Sequence, residues 1–109
     1  MAAGWMSQRA IENTSRAGLL RDDGLHLGEA EAIVLAGESS AGALLMDDGD
    51  GVKAGRTDGA NVIRTPGIYR LAKHHRLIAA VRPKLDDLRN AGFWLRDEHY
   101  RMILKSLGE

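Results

Sequence analysis

The chain has 109 residues, which is enough for one small domain, and its formal net charge is zero. It contains no cysteine, which excludes disulfides, zinc–thiolate sites and cysteine nucleophiles. No apolar run is long enough to span a bilayer, and the N-terminus lacks the basic flank and apolar run of a signal peptide, so a cytoplasmic location is expected.

Charge is distributed unevenly along the chain. Residues 1–63 contain five Lys/Arg and ten Asp/Glu, whereas residues 64–109 contain ten Lys/Arg and five Asp/Glu. One interpretation is a metal-binding acidic half beside a phosphate-binding basic half. The other is complementary surface charge with no ligand.

In chain order, the N-terminal half predicts one clear helix and short strands. Trp5-Met6 is expected to begin a short strand, and residues 8–20 have weak helical periodicity. Residues 29–39 carry apolar side chains at helical spacing, and residues 42–46 form an apolar run typical of a strand buried on both faces. Residues 47–59 have several glycines and no apolar stripe, so at most one frayed helical turn is expected there.

The C-terminal half predicts a strand followed by three helices. Residues 61–64 form the strand, after which Thr65 is a natural N-cap and Pro66 suits the first helical position. Two further helices are expected over residues 83–91 and 97–107. The alternation of strands and helices over the first two thirds of the chain favours an α/β fold with a small parallel sheet.

Three acids lie where such a sheet forms a ligand crevice. Glu29 opens the clear helix, and Asp47-Asp48 follow the strand at residues 42–46. Carboxylates in this place suit a hard cation such as Mg²⁺. The alternatives are structural: an acid in a first helical turn is stabilised by the helix dipole, and Asp favours turns.

Several segments together resemble the PIN-like domain family of prokaryotes, specifically a branch linked to toxin–antitoxin systems. Their spacing fits the family pattern with little or no gapping from about Leu25 onward. The segments are Leu27-Gly28-Glu29-Ala30-Glu31-Ala32-Ile33, Leu44-Leu45-Met46-Asp47-Asp48, Val62-Ile63-Arg64-Thr65-Pro66-Gly67-Ile68, Ala72-Lys73, Leu77-Ile78, Val81-Arg82-Pro83-Lys84-Leu85-Asp86 and Ala91-Gly92-Phe93.

The resemblance implies a three-layer α/β fold and a metal-dependent nuclease, usually acting on RNA. In such an enzyme one or two Mg²⁺ or Mn²⁺ ions activate water and stabilise the leaving oxygen of a phosphodiester. Glu29 fits the family's acid at the start of the central helix, and Asp48 fits the acid after the following strand, with Asp47 beside it. Glu31 lies in the same motif, but its helical position points it elsewhere.

Basic and hydroxyl residues provide the candidate nucleic-acid contacts. Thr65 fits the family's hydroxyl residue at the end of the next strand, and Arg64 stands where the family usually has Gly. Lys73 and Arg76 bound a basic run that could contact RNA. The alternative is a solvated helix end, where cations favour the C-terminal dipole.

The chain also departs from the family pattern at its N-terminus. Residues 25–109 form the matched core, residues 1–24 match loosely, and no apolar strand ending in Asp precedes Glu29, so a single N-terminally truncated domain is expected. Its isolated activity should then be weak or absent, because two elements alone cannot supply a two-metal site. A second copy or a partner protein is expected to cover the open sheet edge. The other hypothesis is a non-enzymatic interaction module or regulator.

Overall fold

The computed structural model describes residues 4–109, which form six α-helices and two short β-strands. In chain order they are α1 (Thr14–Asp22), α2 (Leu27–Glu38), β1 (Leu44–Leu45), α3 (Gly49–Thr57), β2 (Val62–Ile63), α4 (Thr65–His74), α5 (Arg82–Asn90) and α6 (Asp97–Ser106). None of these helices is long and apolar enough to cross a membrane.

The chain divides into two compact units, and the boundary lies between Arg64 and Thr65. The first unit has a core built from α2, α3 and the strands, and the second has a core built around α5 and α6. The expectation of one single domain stays a prediction.

The two strands pair in parallel, with Leu44 opposite Val62 and Leu45 opposite Ile63. Because α3 connects them, β1, α3 and β2 form a parallel crossover unit, which is compatible with the predicted α/β fold. The three-layer arrangement stays a prediction. The prediction that β1 is buried on both faces is wrong, since Leu44 is buried but Leu45 is 57% exposed. The strand predicted at Trp5 is also wrong, because this side chain lies exposed in a turn.

Helix α3 packs against the strand pair through glycine. A Cβ atom placed on Gly55 would lie 2.9 Å from Cγ2 of Val62 and 3.2 Å from Cδ2 of Leu44. The missing side chain therefore allows the helix backbone to lie directly against both strands. The helix is nine residues long, where the sequence predicted only a frayed turn, because its buried face is made by Gly51, Val52 and Gly55 rather than by large apolar side chains.

The second unit surrounds the buried side chains of Val81, Leu85 and Ile103. Its three helices were predicted, although Thr65 is the first residue of α4 rather than its N-cap. The Glu109 carboxylate accepts hydrogen bonds from the backbone N–H groups of Val81 and Arg82, at the start of α5. An acid from the end of the chain thereby satisfies donors that the α5 helix leaves unpaired.

Candidate functional site

Asp48 is held at the carboxyl end of β1 by the helix that follows it. It is the N-cap of α3, and its Oδ1 accepts hydrogen bonds from the backbone N–H of Asp50 at 3.0 Å and of Gly51 at 3.3 Å. The backbone N–H of Met46 donates to the carbonyl of Ile63, so the pairing of the strands extends to within two residues of Asp48. The position of this carboxylate is therefore set jointly by the strand pair and the helix.

Glu29 reaches the same turn from α2. It lies in the first turn of that helix, and a Cβ atom placed on Gly51 would lie only 2.6 Å from its Oε2. The Glu29 carboxylate is thus packed against the backbone of the turn that Asp48 caps. Glu29 and Asp48, which come from elements separated by β1, thus both lie against the turn at Gly51.

One oxygen of Glu29 has no partner. Among the residues that the structure describes, Oε2 of Glu29 is the one buried side-chain polar atom without a hydrogen bond. Burying a carboxylate oxygen unpaired is costly, so such an atom calls for an explanation such as an ion or a proton. The helix dipole alone would favour an acid here, but it does not require that the oxygen be buried and unpaired.

The pKa of Asp48 is lowered, mainly because the Gly51 N–H stabilises its charged form. The Asp50 N–H, the Glu29 side chain and the charge of His26 act in the same direction, whereas desolvation opposes them. Glu29 and Asp48 both lie against the turn at Gly51. Two neighbouring carboxylates repel each other, and a cation between them or a proton on one of them lowers that cost.

His26 and Gly51 were not recognised as site residues from the sequence. His26 is the N-cap of α2, and its position three residues before Glu29 puts both side chains at one end of the helix. A Cβ atom on Gly51 would overlap Sδ of Met46 and Oε2 of Glu29, so a larger residue would require these side chains to shift. The helical spacing could have indicated His26, but no local pattern marks the close approach at Gly51.

Arg64 and Asp47 meet at the same end of the strand pair. Nη2 of Arg64 donates a hydrogen bond of 2.8 Å to the main-chain carbonyl of Asp47, and both side chains are half-buried. Arg64 directly follows β2, and Asp47 lies two residues after the end of β1. The guanidinium is therefore held at the main chain of Asp47, the residue before Asp48. Contact of Arg64 with nucleic acid stays a prediction.

The other predicted nucleic-acid contacts belong to the second unit. Thr65 is the half-buried first residue of α4, and Arg76 is exposed with a φ of 60° just after that helix. Lys73 is engaged within its own unit, because its Nζ donates to the carbonyl of Leu107 and to the Glu109 carboxylate, at 3.0 and 2.9 Å. Binding of RNA by these residues stays a prediction.

The acidic pair fits one hydrated cation better than a fully protein-bound one. No group of three or more His, Cys, Asp or Glu residues that could hold a metal ion occurs within residues 4–109. Mg²⁺ keeps several waters in proteins and is commonly bound by one or two carboxylates. The unpartnered oxygen of Glu29 beside Asp48 provides such a pair.

The comparison with known protein families gives one match. The model of family DUF3368, described as a PIN domain, matches residues 1–109. No curated protein and no solved structure matches the chain at a significant level.

Proposed function

Since this chain belongs to the PIN-domain family, we propose that it is a relative of metal-dependent ribonucleases in which Glu29 and Asp48 bind Mg²⁺ or Mn²⁺. The observation that supports this most is the buried, unpartnered Oε2 of Glu29, packed against the turn that Asp48 caps. A divalent cation would satisfy that oxygen and offset the repulsion between the two carboxylates.

Each residue of the site has a distinct role in this proposal. When bound, the cation would activate water for attack on a phosphodiester and stabilise the leaving oxygen. Asp48, fixed by the α3 N–H groups, and Glu29, fixed against Gly51, would hold it. Arg64, anchored on the Asp47 carbonyl, would bind a phosphate of the RNA and orient it towards the acids.

Residues of the second unit are further candidates for contact with RNA. Thr65 follows Arg64 directly and offers a hydroxyl, and Arg76 offers an exposed guanidinium. Lys73 would contribute mainly through its charge, because its ammonium already binds Glu109. In this proposal these residues add affinity for the RNA backbone rather than chemistry.

Activity of the isolated chain should be weak or absent. A two-metal site needs several carboxylates held in a fixed shape, and two firmly placed ones support at most one ion. A second copy or a partner polypeptide would supply further acids while pairing with the open edge of the strand pair. Such a partner would also cover Leu45, whose side chain is 57% exposed on one face of the strand pair.

The experiment is a cleavage assay on single-stranded RNA with Mn²⁺, using the purified chain. Glu29→Gln and Asp48→Asn keep the size of each side chain and remove its charge, and Glu31→Gln on the same helix is the matched control. Slow cleavage that is lost in the first two variants and kept in the control would support the proposal. Cleavage that persists in both site variants would refute it.

A second candidate is a non-enzymatic interaction module or regulator of an intact relative, as a toxin–antitoxin role would allow. The absence of any three-residue metal cluster within residues 4–109 favours it. Calorimetry distinguishes the two, because no uptake of Mg²⁺ or Mn²⁺ by the folded chain would favour the module. Light scattering on a concentrated sample tests the partner claim separately, since a strictly monomeric chain would count against self-association.

A further inference from the structure

A cavity of about 330 Å³ lies in the second unit, between the start of α5 and one face of α6. Its lining residues are Arg82, Tyr100, Arg101, Leu104, Lys105, Gly108 and Glu109. Leu104 is buried and Tyr100 half-buried, whereas all three basic residues are exposed. The cavity therefore has a partly apolar floor and a cationic rim.

Positive charge dominates this cavity. Three of its lining residues are basic and one, Glu109, is acidic. The Glu109 carboxylate already accepts hydrogen bonds from Lys73 and from the backbone N–H groups of Val81 and Arg82, and these partners lower the pKa of Glu109 to about 2. Glu109 therefore stays ionised, and Nη2 of Arg82 donates to its main-chain oxygen at 3.3 Å, so the lining side chains carry three positive charges and one negative charge.

Neither basic residue of α6 donates a hydrogen bond to an acidic side chain among residues 4–109, although the charge of Arg101 helps to lower the pKa of Asp97. Arg101 and Lys105 are four residues apart and so share one face of the helix, where like charges repel each other. Nε of Arg101 donates only to the main-chain carbonyl of Asp97, and the Lys105 ammonium has no partner among residues 4–109. An anion in the cavity would relieve this repulsion.

We propose that this cavity binds a phosphate monoester through Arg82, Arg101 and Lys105. Guanidinium groups bind phosphate oxygens in pairs, and a lysine adds a point charge to the same anion. A phosphate dianion satisfies three cations better than a single carboxylate does. The volume is at the lower end of the range for small-molecule sites and exceeds what inorganic phosphate needs, so an organic substituent would pack on Leu104 and Tyr100.

This site is separate from the acidic pair and does not depend on the proposed nuclease role. Its residues all belong to the second unit, whereas Glu29 and Asp48 belong to the first. The walls are already formed, because the N–H of Glu109 donates to the carbonyl of Leu104 at 2.8 Å and Gly108 adopts a φ of 74°. Binding would therefore require little ordering of the chain.

Calorimetric titration of the full chain at low salt tests the proposal. The probes are adenosine 5′-monophosphate, inorganic phosphate and adenosine. The double variant Arg101→Gln/Lys105→Gln should weaken binding of the monophosphate by roughly tenfold or more. The matched control is Arg70→Gln/Lys84→Gln, which removes two exposed charges of the same unit outside the cavity. If the double variant does not fold, Lys105→Gln alone replaces it, because this side chain makes no hydrogen bond.

Every outcome of this titration either supports or overturns the proposed phosphate site. Saturable binding of the monophosphate that is weakened in the cavity variant and kept in the control supports the site. Inorganic phosphate that binds as tightly as the monophosphate, more weakly in the cavity variant and unchanged in the control, also supports the site. That result identifies the free anion as the ligand. The proposal is overturned if neither phosphate compound saturates the chain. It is also overturned if the two double variants lose the same affinity, or if adenosine binds as tightly as the monophosphate.

Discussion

The carboxylate of Glu29 lies so close to the backbone at Gly51 that a Cβ atom there would force a neighbouring side chain to move. Gly51→Ala should therefore displace Glu29 or Met46 and destabilise the chain by about 1–2 kcal/mol, although alanine suits a helix better. Gly49→Ala is the control, because a Cβ atom there meets nothing within 4 Å. Urea unfolding of both variants measures the difference, and equal stability of the two would contradict the close approach.

Glu109 gives a second prediction at the scale of residues. Its pKa is lowered from 4.5 to about 2, first by the Lys73 ammonium and then by the Val81 N–H. Because the folded pKa is the lower one, this stabilisation is complete above pH 4.5 and is lost as the pH falls towards 2. Glu109→Gln should cost about 1–3 kcal/mol at pH 7 and much less near pH 2.

Thermal unfolding at a series of pH values measures this dependence on Glu109. Asp87→Asn, an exposed acid on α5, is the control and should change stability little at any pH. A gap between the wild type and Glu109→Gln that stays constant from pH 7 to pH 2 would contradict the assigned role of the carboxylate.

At the scale of elements, α3 depends on its glycines for its contact with the strands. Gly55→Ala would bring a Cβ atom to 2.9 Å from Val62, whose branched side chain has little freedom to move. Unfolding should then require about 1–3 kcal/mol less than in the wild type. Gly18→Ala in α1, where a Cβ atom meets nothing within 4 Å, should be neutral or stabilising. Equal effects of the two changes would show that α3 does not pack as described.

The helices with large apolar side chains were predictable, and α3 was not. In α2 the apolar spacing of residues 32–36 predicted the helix, and Ile33 within it is fully buried. In α3 the buried face includes Gly51 and Gly55, which carry no apolar signal and usually indicate turns. The parallel pairing of β1 and β2 followed from the alternation of elements, but the exposure of Leu45 depends on what lies beside the sheet, which local sequence does not encode.

At the scale of the whole molecule, the uneven charge follows the division into units. Residues 65–109, which form the second unit, contain nine Lys/Arg and five Asp/Glu, while both candidate metal ligands lie in the first. The positions of Glu29 and Asp48 near one another were predicted from the family resemblance and the rule for strand ends. The contributions of His26 and Gly51 were not, because they depend on how α2 and α3 approach each other in space.

The proposed function depends most on the capacity of Glu29 and Asp48 to bind one cation together. Titration of the folded chain with Mn²⁺ measures this binding directly. We expect saturable uptake of one ion, weakened roughly tenfold or more by either Glu29→Gln or Asp48→Asn and unchanged by Glu31→Gln. Both site variants should remain folded, because Asn caps a helix as well as Asp does and Gln keeps the size of Glu. Uptake that is absent, or that is as strong in both site variants as in the wild type, would contradict the proposed shared site.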